Sequence, residues 1–142
     1  MSDSALPVLV IGAGMYVGGR GAGTDGTILP TLMQAQQRGL AGDILVAATS
    51  RHSIELLQAK LDELNPRIGT QVQIKGYPAD GGANPLAYQQ ALADLPRPAA
   101  AIVSVPDHLH APITADVIRA GVHPLVVKPL TPTLEEGLEL TR

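Results

Sequence analysis

Three groups of residues in this chain have types and spacings that suit chemistry. The first is Gly12-Ala13-Gly14, followed by Met15 and Tyr16 and then by Gly18, Gly19, Gly21, Gly23 and Gly26. Glycines one residue apart allow a tight turn and leave backbone N–H groups uncovered, so a pyrophosphate can be met there at a helix start. The third glycine of a G-x-G-x-x-G pattern would fall at Val17, and Gly18 offers a G-x-G-x-x-x-G variant instead. A flexible surface loop is the plainer reading of the stretch; the apolar run just before it favours phosphate binding. The second group is Thr49-Ser50-Arg51-His52, placed where a dinucleotide with a free ribose 2′-hydroxyl would meet Asp or Glu. No acid is present. Ser50 offers a hydroxyl and Arg51 a fixed positive charge, which together suit a 2′-phosphate, so NADP is expected in preference to NAD. The plainer reading makes Arg51 a solvated residue beside a helix cap. The third group joins Ser104-Val105-Pro106-Asp107-His108-Leu109-His110 to Val127-Lys128-Pro129. Lys128 could stabilise developing alkoxide charge, with His108 and His110 as positioning groups. Each histidine could equally be a satisfied polar side chain at a strand end. The two are spaced i, i+2 with no third ligand in register, so no metal is expected.

These groups must be held by regular elements, and the apolar pattern supplies them. Short solid runs at Val8–Ile11, Ile44–Ala47, Ala101–Val105 and Leu125–Val127, with an alternating segment carrying Val72, Ile74 and Tyr77, predict five strands. Between them, Ile28, Leu29, Leu32, Met33 and Ala35 predict a helix ending at Gly39. Ser53 is expected to cap a second helix carrying Ile54, Leu57 and Leu61 and stopping near Asn65-Pro66. Further helices are predicted from about Pro85 to Leu95, over Ile113, Val117 and Ile118 before Gly121, and from Thr133, with Glu135 and Glu136 in the first turn. Strand-helix alternation with right-handed crossovers predicts an α/β fold, a doubly wound parallel sheet in a single domain. Ligands of such sheets bind beyond the carboxyl ends of the strands, where all three groups fall.

The run Val-Pro-Asp-His-Leu-His-Ala at 105–111, a helix ending in Arg119-Ala120-Gly121 and a strand closing on Lys128-Pro129-Leu130 resemble the glucose-fructose oxidoreductase, inositol dehydrogenase and rhizopine catabolism family, often written Gfo/Idh/MocA. The resemblance covers most of the chain and implies an N-terminal Rossmann domain binding NADP or NAD. It implies that Pro106 to His110 line the nicotinamide side of the cofactor. It also implies that Lys128 touches cofactor and substrate and orients a sugar hydroxyl for proton transfer. The reaction implied is hydride transfer between a nicotinamide and a sugar, cyclitol or related secondary alcohol. Three departures stand out. Val127 replaces the family's usual glutamate beside the lysine. An insertion of roughly eight residues separates Gly14 from Leu29-Pro30, judged against the usual phosphate-site geometry. The family's C-terminal α/β domain, which supplies the catalytic histidine and commonly an aspartate, has no counterpart here, so the 142 residues are expected to be the cofactor half of a longer protein, binding without turnover.

Composition sets the remaining bounds. One core is expected from 142 residues, 45% of them hydrophobic and 16% charged. A net charge of -3, with lysines and arginines scattered, argues against nucleic-acid and anionic-membrane surfaces. With no cysteine there is neither a disulfide framework nor a thiolate site. The short acidic N-terminus and the lack of a long apolar run predict a soluble cytoplasmic protein. No G-x-S-x-G elbow supports a hydrolase. A non-catalytic nucleotide-binding module for sensing or assembly is the main alternative, and it would need no Lys128. An apolar face left without its second domain predicts a homo-oligomer.

Overall fold

The computed structural model describes residues 5–142. Its sheet has five strands, β1 (Leu6–Ile11), β2 (Ala41–Ala47), β3 (Ile74–Tyr77), β4 (Ala100–Val103) and β5 (His123–Val126), in the order β3-β2-β1-β4-β5. Every neighbouring pair is parallel. The helices are α1 (Met15–Gly18), α2 (Ile28–Gln37), α3 (Arg51–Ile68), α4 (Ala87–Asp94), α5 (His110–Arg119) and α6 (Leu134–Glu139), with a 3-10 turn over Asp107–Leu109.

Side chains alternate across a strand, so β1 sends Val8 and Val10 to one face and Leu9 and Ile11 to the other. The first pair joins a core with α2 and α3 through Met33, Leu57 and Leu61. The second joins a core with α4 and α5 through Ala91, Leu92 and Val117. Each fully buried Leu or Val contributes about 1.5–3 kcal/mol, and the two-sided burial explains why the central strands read as unbroken apolar runs. β1 leads to β2 on one side, and β4 joins on the other. The chain therefore changes direction between β1 and β4, which opens a crevice at their carboxyl ends. This is the expected doubly wound sheet.

Local chemistry adjusts several expected boundaries. Ser50, not Ser53, caps α3: its side-chain oxygen accepts the Ser53 N–H at 3.2 Å. The helix also runs past Pro66 to Ile68, where Gly69 ends it in left-handed geometry at φ 79°. Asn65 secures that end. Its carbonyl accepts the N–H groups of Gly69 and Thr70, and its side chain binds both backbone groups of Val72. A proline in the last turn of a long helix forfeits one hydrogen bond, and this network holds the turn regardless. Because Asn65 ties down Val72, β3 begins only at Ile74. Ser104 and Val105 lie just beyond β4, and Val127 just beyond β5.

Candidate functional site

The glycine turn is built by the close approach of β1 and β4. Gly12 donates to the Ala47 carbonyl at 2.8 Å, and Ser104 donates to Ile11 at 2.9 Å. A Cβ on Gly12 would stand 1.9 Å from the Ser104 oxygen, and its φ of 115° is strained for any other residue. Gly14 faces the opposite situation: a Cβ there would meet nothing within 4 Å, so this wall is open to a ligand. Gly18 packs closely against α3, because its Cβ would fall 2.4 Å from Leu57 Cδ1.

The glycine-rich loop is pinned down. Lys60 on α3, only 9% exposed, donates to the Gly21 carbonyl at 2.8 Å and pairs with Glu63 at 3.2 Å and Asp25 at 3.7 Å. Arg67 grips Asp25 at 2.8 Å. The hydrogen bond from Arg67 holds the Asp25 carboxyl below its ordinary range. The loop from Gly19 to Gly26 is therefore fastened to α3 by contacts from Lys60 and Arg67.

A cavity of about 1020 Å³ lies over the carboxyl ends of the strands. Gly12, Gly14, Met15 and Tyr16 form its floor and one wall. Ser104, Val105 and Pro106 bound it after β4, and Lys128 bounds it after β5. These eight expected site residues are brought together. Lys128 takes part in no ion pair among the described residues, and the neighbouring Val127 packs against the core under α2 and α3. Lys128 lines the cavity, and Val127 stands where the resemblance implies a carboxylate beside it. Among the described residues no acidic side chain lines the cavity.

Four expected residues lie outside that lining. Ser50 spends its hydroxyl on the α3 cap and on Ser53 Oγ, 3.1 Å away. Arg51 turns aside, with Nη1 donating to the Pro78 carbonyl at 3.4 Å and Nε 3.6 Å from Glu55. His108 is exposed on the 3-10 turn. His110 is fully buried at the start of α5, with Nε2 2.8 Å from the Val105 carbonyl and Nδ1 against that of Pro129. Both ring nitrogens are taken up by backbone, so His110 joins the two loops that carry the site instead of contacting a ligand. Thr49, Ser53, Leu86 and Tyr88 line the cavity and were missed. The acidic residue four positions after Arg51 was a readable sign that its guanidinium had a competing partner. Leu86 left no such sign, since its place depends on how α4 packs.

A doubly wound sheet with a glycine turn at its switch point and an open cleft above it defines a dinucleotide-binding Rossmann domain. Residues 6–142 match GFO_IDH_MocA, the oxidoreductase family with an NAD-binding Rossmann fold, and the chain belongs to that family. No curated protein matches it. Among solved structures, the WlbA dehydrogenase from Bordetella pertussis, in complex with NADH and UDP-GlcNAcA, is 17% identical with a TM-score of 0.57, over 99% of this chain and 33% of that one. GenD2 from gentamicin A biosynthesis, in complex with NAD, is 21% identical with a TM-score of 0.61, over 99% and 31%. KijD10, a 3-ketoreductase from Actinomadura kijaniata in complex with TDP-benzene and NADP, is 24% identical with a TM-score of 0.56, over 96% and 33%. At these identities the likeness shows the fold, and the chain spans about one third of the length of the structures it matches. Among the described residues no helix is long and apolar enough to cross a membrane.

Proposed function

We propose that this domain binds NADP in preference to NAD and serves an oxidoreductase that moves hydride between the nicotinamide and a secondary alcohol of a sugar, cyclitol or sugar nucleotide. The observation that carries the reading is that one cavity holds both the glycine turn and Lys128. The open side of Gly14 admits a pyrophosphate, and the apolar Val105 and Pro106 suit one face of a nicotinamide ring. The cofactor, when bound, supplies the hydride acceptor. This chain's part is to hold it and to place a positive charge beside the substrate oxygen, where Lys128 lowers the energy of developing alkoxide. A second α/β domain supplies the proton acceptor and the substrate pocket. A lining free of carboxylates favours the phosphorylated cofactor, because an acid beside the ribose would repel a 2′-phosphate.

A nucleotide-binding module without catalysis would have no use for a lysine unpaired at the cleft mouth, so Lys128 favours the catalytic reading. Calorimetric titration of the purified chain tests the first step: NADPH and NADH should each bind at one site, NADPH more tightly. If neither binds, the proposal is wrong.

A further inference from the structure

Beside the main cleft lies a second cavity of about 560 Å³, framed by the inserted loop on one side and α3 on the other. The two cavities share Ala13, Gly14, Met15 and Ser53, so they meet over a common rim. On the reading proposed above, the adenosine ribose sits between the glycine turn and the start of α3, which is where this rim lies. A group on the 2′-oxygen that points across the rim enters the second cavity. The rim is low there, since Gly14 has no side chain and a Cβ would meet only open space.

Three charged side chains line this second cavity: Arg20, Lys60 and Glu63. Lys60 and Glu63 are paired with each other at 3.2 Å, Lys60 also with Asp25, and Glu63 also with Arg67 at 3.2 Å. Their charges are spent on fastening the loop. Arg20 is in none of these pairs, and no side-chain hydrogen bond holds its guanidinium among the described residues. Its backbone, by contrast, is fixed: the N–H donates to Thr24 Oγ1 at 2.6 Å and the carbonyl accepts from the same hydroxyl at 2.7 Å. Arg20 is thus a free cation on an anchored stem. At the rim the Ser53 hydroxyl adds a second donor, while Arg51 is occupied by Glu55 and the Pro78 carbonyl.

We infer that the second cavity is the subsite for the 2′-phosphate of NADP, with Arg20 of the inserted loop as its anchor and Ser53 as a supporting donor. The insertion then makes the cofactor choice, in place of the end of β2. A charge-assisted guanidinium–phosphate contact is among the stronger hydrogen-bonded pairs, and its loss weakens binding by about tenfold or more.

The test is calorimetric titration of the full chain and of Arg20→Ala and Arg51→Ala with NADPH and with NADH, at low and at raised sodium chloride. Arg20 is exposed and its replacement removes no packing, so the variant retains the fold, which circular dichroism checks. Arg20→Ala should lower NADPH affinity about tenfold or more and leave NADH within twofold. The preference for NADPH should fade with salt in the parent and be largely salt-independent in Arg20→Ala. An unchanged NADPH to NADH ratio in Arg20→Ala overturns the inference. So does a ratio that collapses in Arg51→Ala alone, which would place the phosphate at the end of β2, or a parent chain that prefers NADH. Failure of both cofactors to bind the parent removes the underlying cofactor reading, and this inference falls with it.

Discussion

Replacing His110 with leucine should unfasten the two loops that frame the nicotinamide end of the cleft, and the size of the effect can be worked from its contacts. The ring is fully buried and presents one nitrogen to the Val105 carbonyl at 2.8 Å and the other to that of Pro129. Leucine fills a similar volume but offers no donor, so the carbonyl that accepts the imidazole N–H loses its partner. A buried carbonyl left unsatisfied costs about 1–3 kcal/mol. Val105 and Pro129 are only half-buried, so water recovers part of the loss, and the cost comes to about 1–2 kcal/mol. For a domain of this size that is a fall in Tm of about 4–8 °C. Thermal unfolding followed by circular dichroism measures it directly. His110→Gln, which keeps one donor, should fall between the parent and His110→Leu. Because Lys128 immediately precedes Pro129, NADH affinity should drop together with Tm in both variants. A His110→Leu protein that melts within about 2 °C of the parent would refute the fastening role of the ring.

Other perturbations follow from the same structure. Gly12→Ala should destabilise the domain and abolish cofactor binding together, because the new methyl group meets the Ser104 carbonyl and the φ of 115° is strained; a melt combined with a titration reads both. Asp94 is held below its ordinary range chiefly by the Tyr77 hydroxyl, which donates to it at 2.6 Å. Its folded value is depressed, so its contribution is present above the unfolded pKa and is lost as pH falls through the folded one. Asp94→Asn should therefore flatten the fall in Tm below about pH 4, as measured by melts across the acid range. Burial raises the Tyr77 hydroxyl, assisted by Asp94, so the contribution of Tyr77 is complete below about pH 10 and fades as pH rises beyond it. Leu125 on the edge strand β5 and Leu134 and Leu138 on α6 are 58%, 79% and 51% exposed, and concentration-dependent self-association is expected of the chain. Leu134→Lys with Leu138→Lys should return sedimentation to the monomer; a parent already monomeric at high concentration would contradict this.

The strands were legible because two-sided burial forces unbroken apolar runs, as at Val8–Ile11 and Ile44–Ala47. Helix ends were less so. Ser50 and Ser53 are both good caps, and the choice between them is settled by where β2 stops. Pro66 reads as a terminator until the network of Asn65 is known. Side-chain direction was the least legible property. His110 sits inside a motif that points to a cofactor, yet its position at the first turn of α5 swings the ring into the protein. Arg51 offers the right charge at the right distance along the chain, but it stands one turn before Glu55. Arg20 carries no motif, and its place next to the cleft exists only because Lys60 and Arg67, about forty residues later, hold the loop against α3.

That fastening divides the insertion into fixed posts and a free span. Asp25 and Gly21 are gripped from α3, and Thr24 closes on Arg20, so the stretch between them changes length without disturbing either post. The entropy of closing a loop grows slowly, by about 0.6 kcal/mol for each doubling of its length. Residues can therefore be exchanged at Ala22 and Gly23, between the posts at Gly21 and Thr24, at little cost to the fold, while the glycine turn and the sheet beneath stay untouched. A segment of this kind lets a lineage, or a designer, change what the rim of the cleft recognises several times over without rebuilding the domain that carries it.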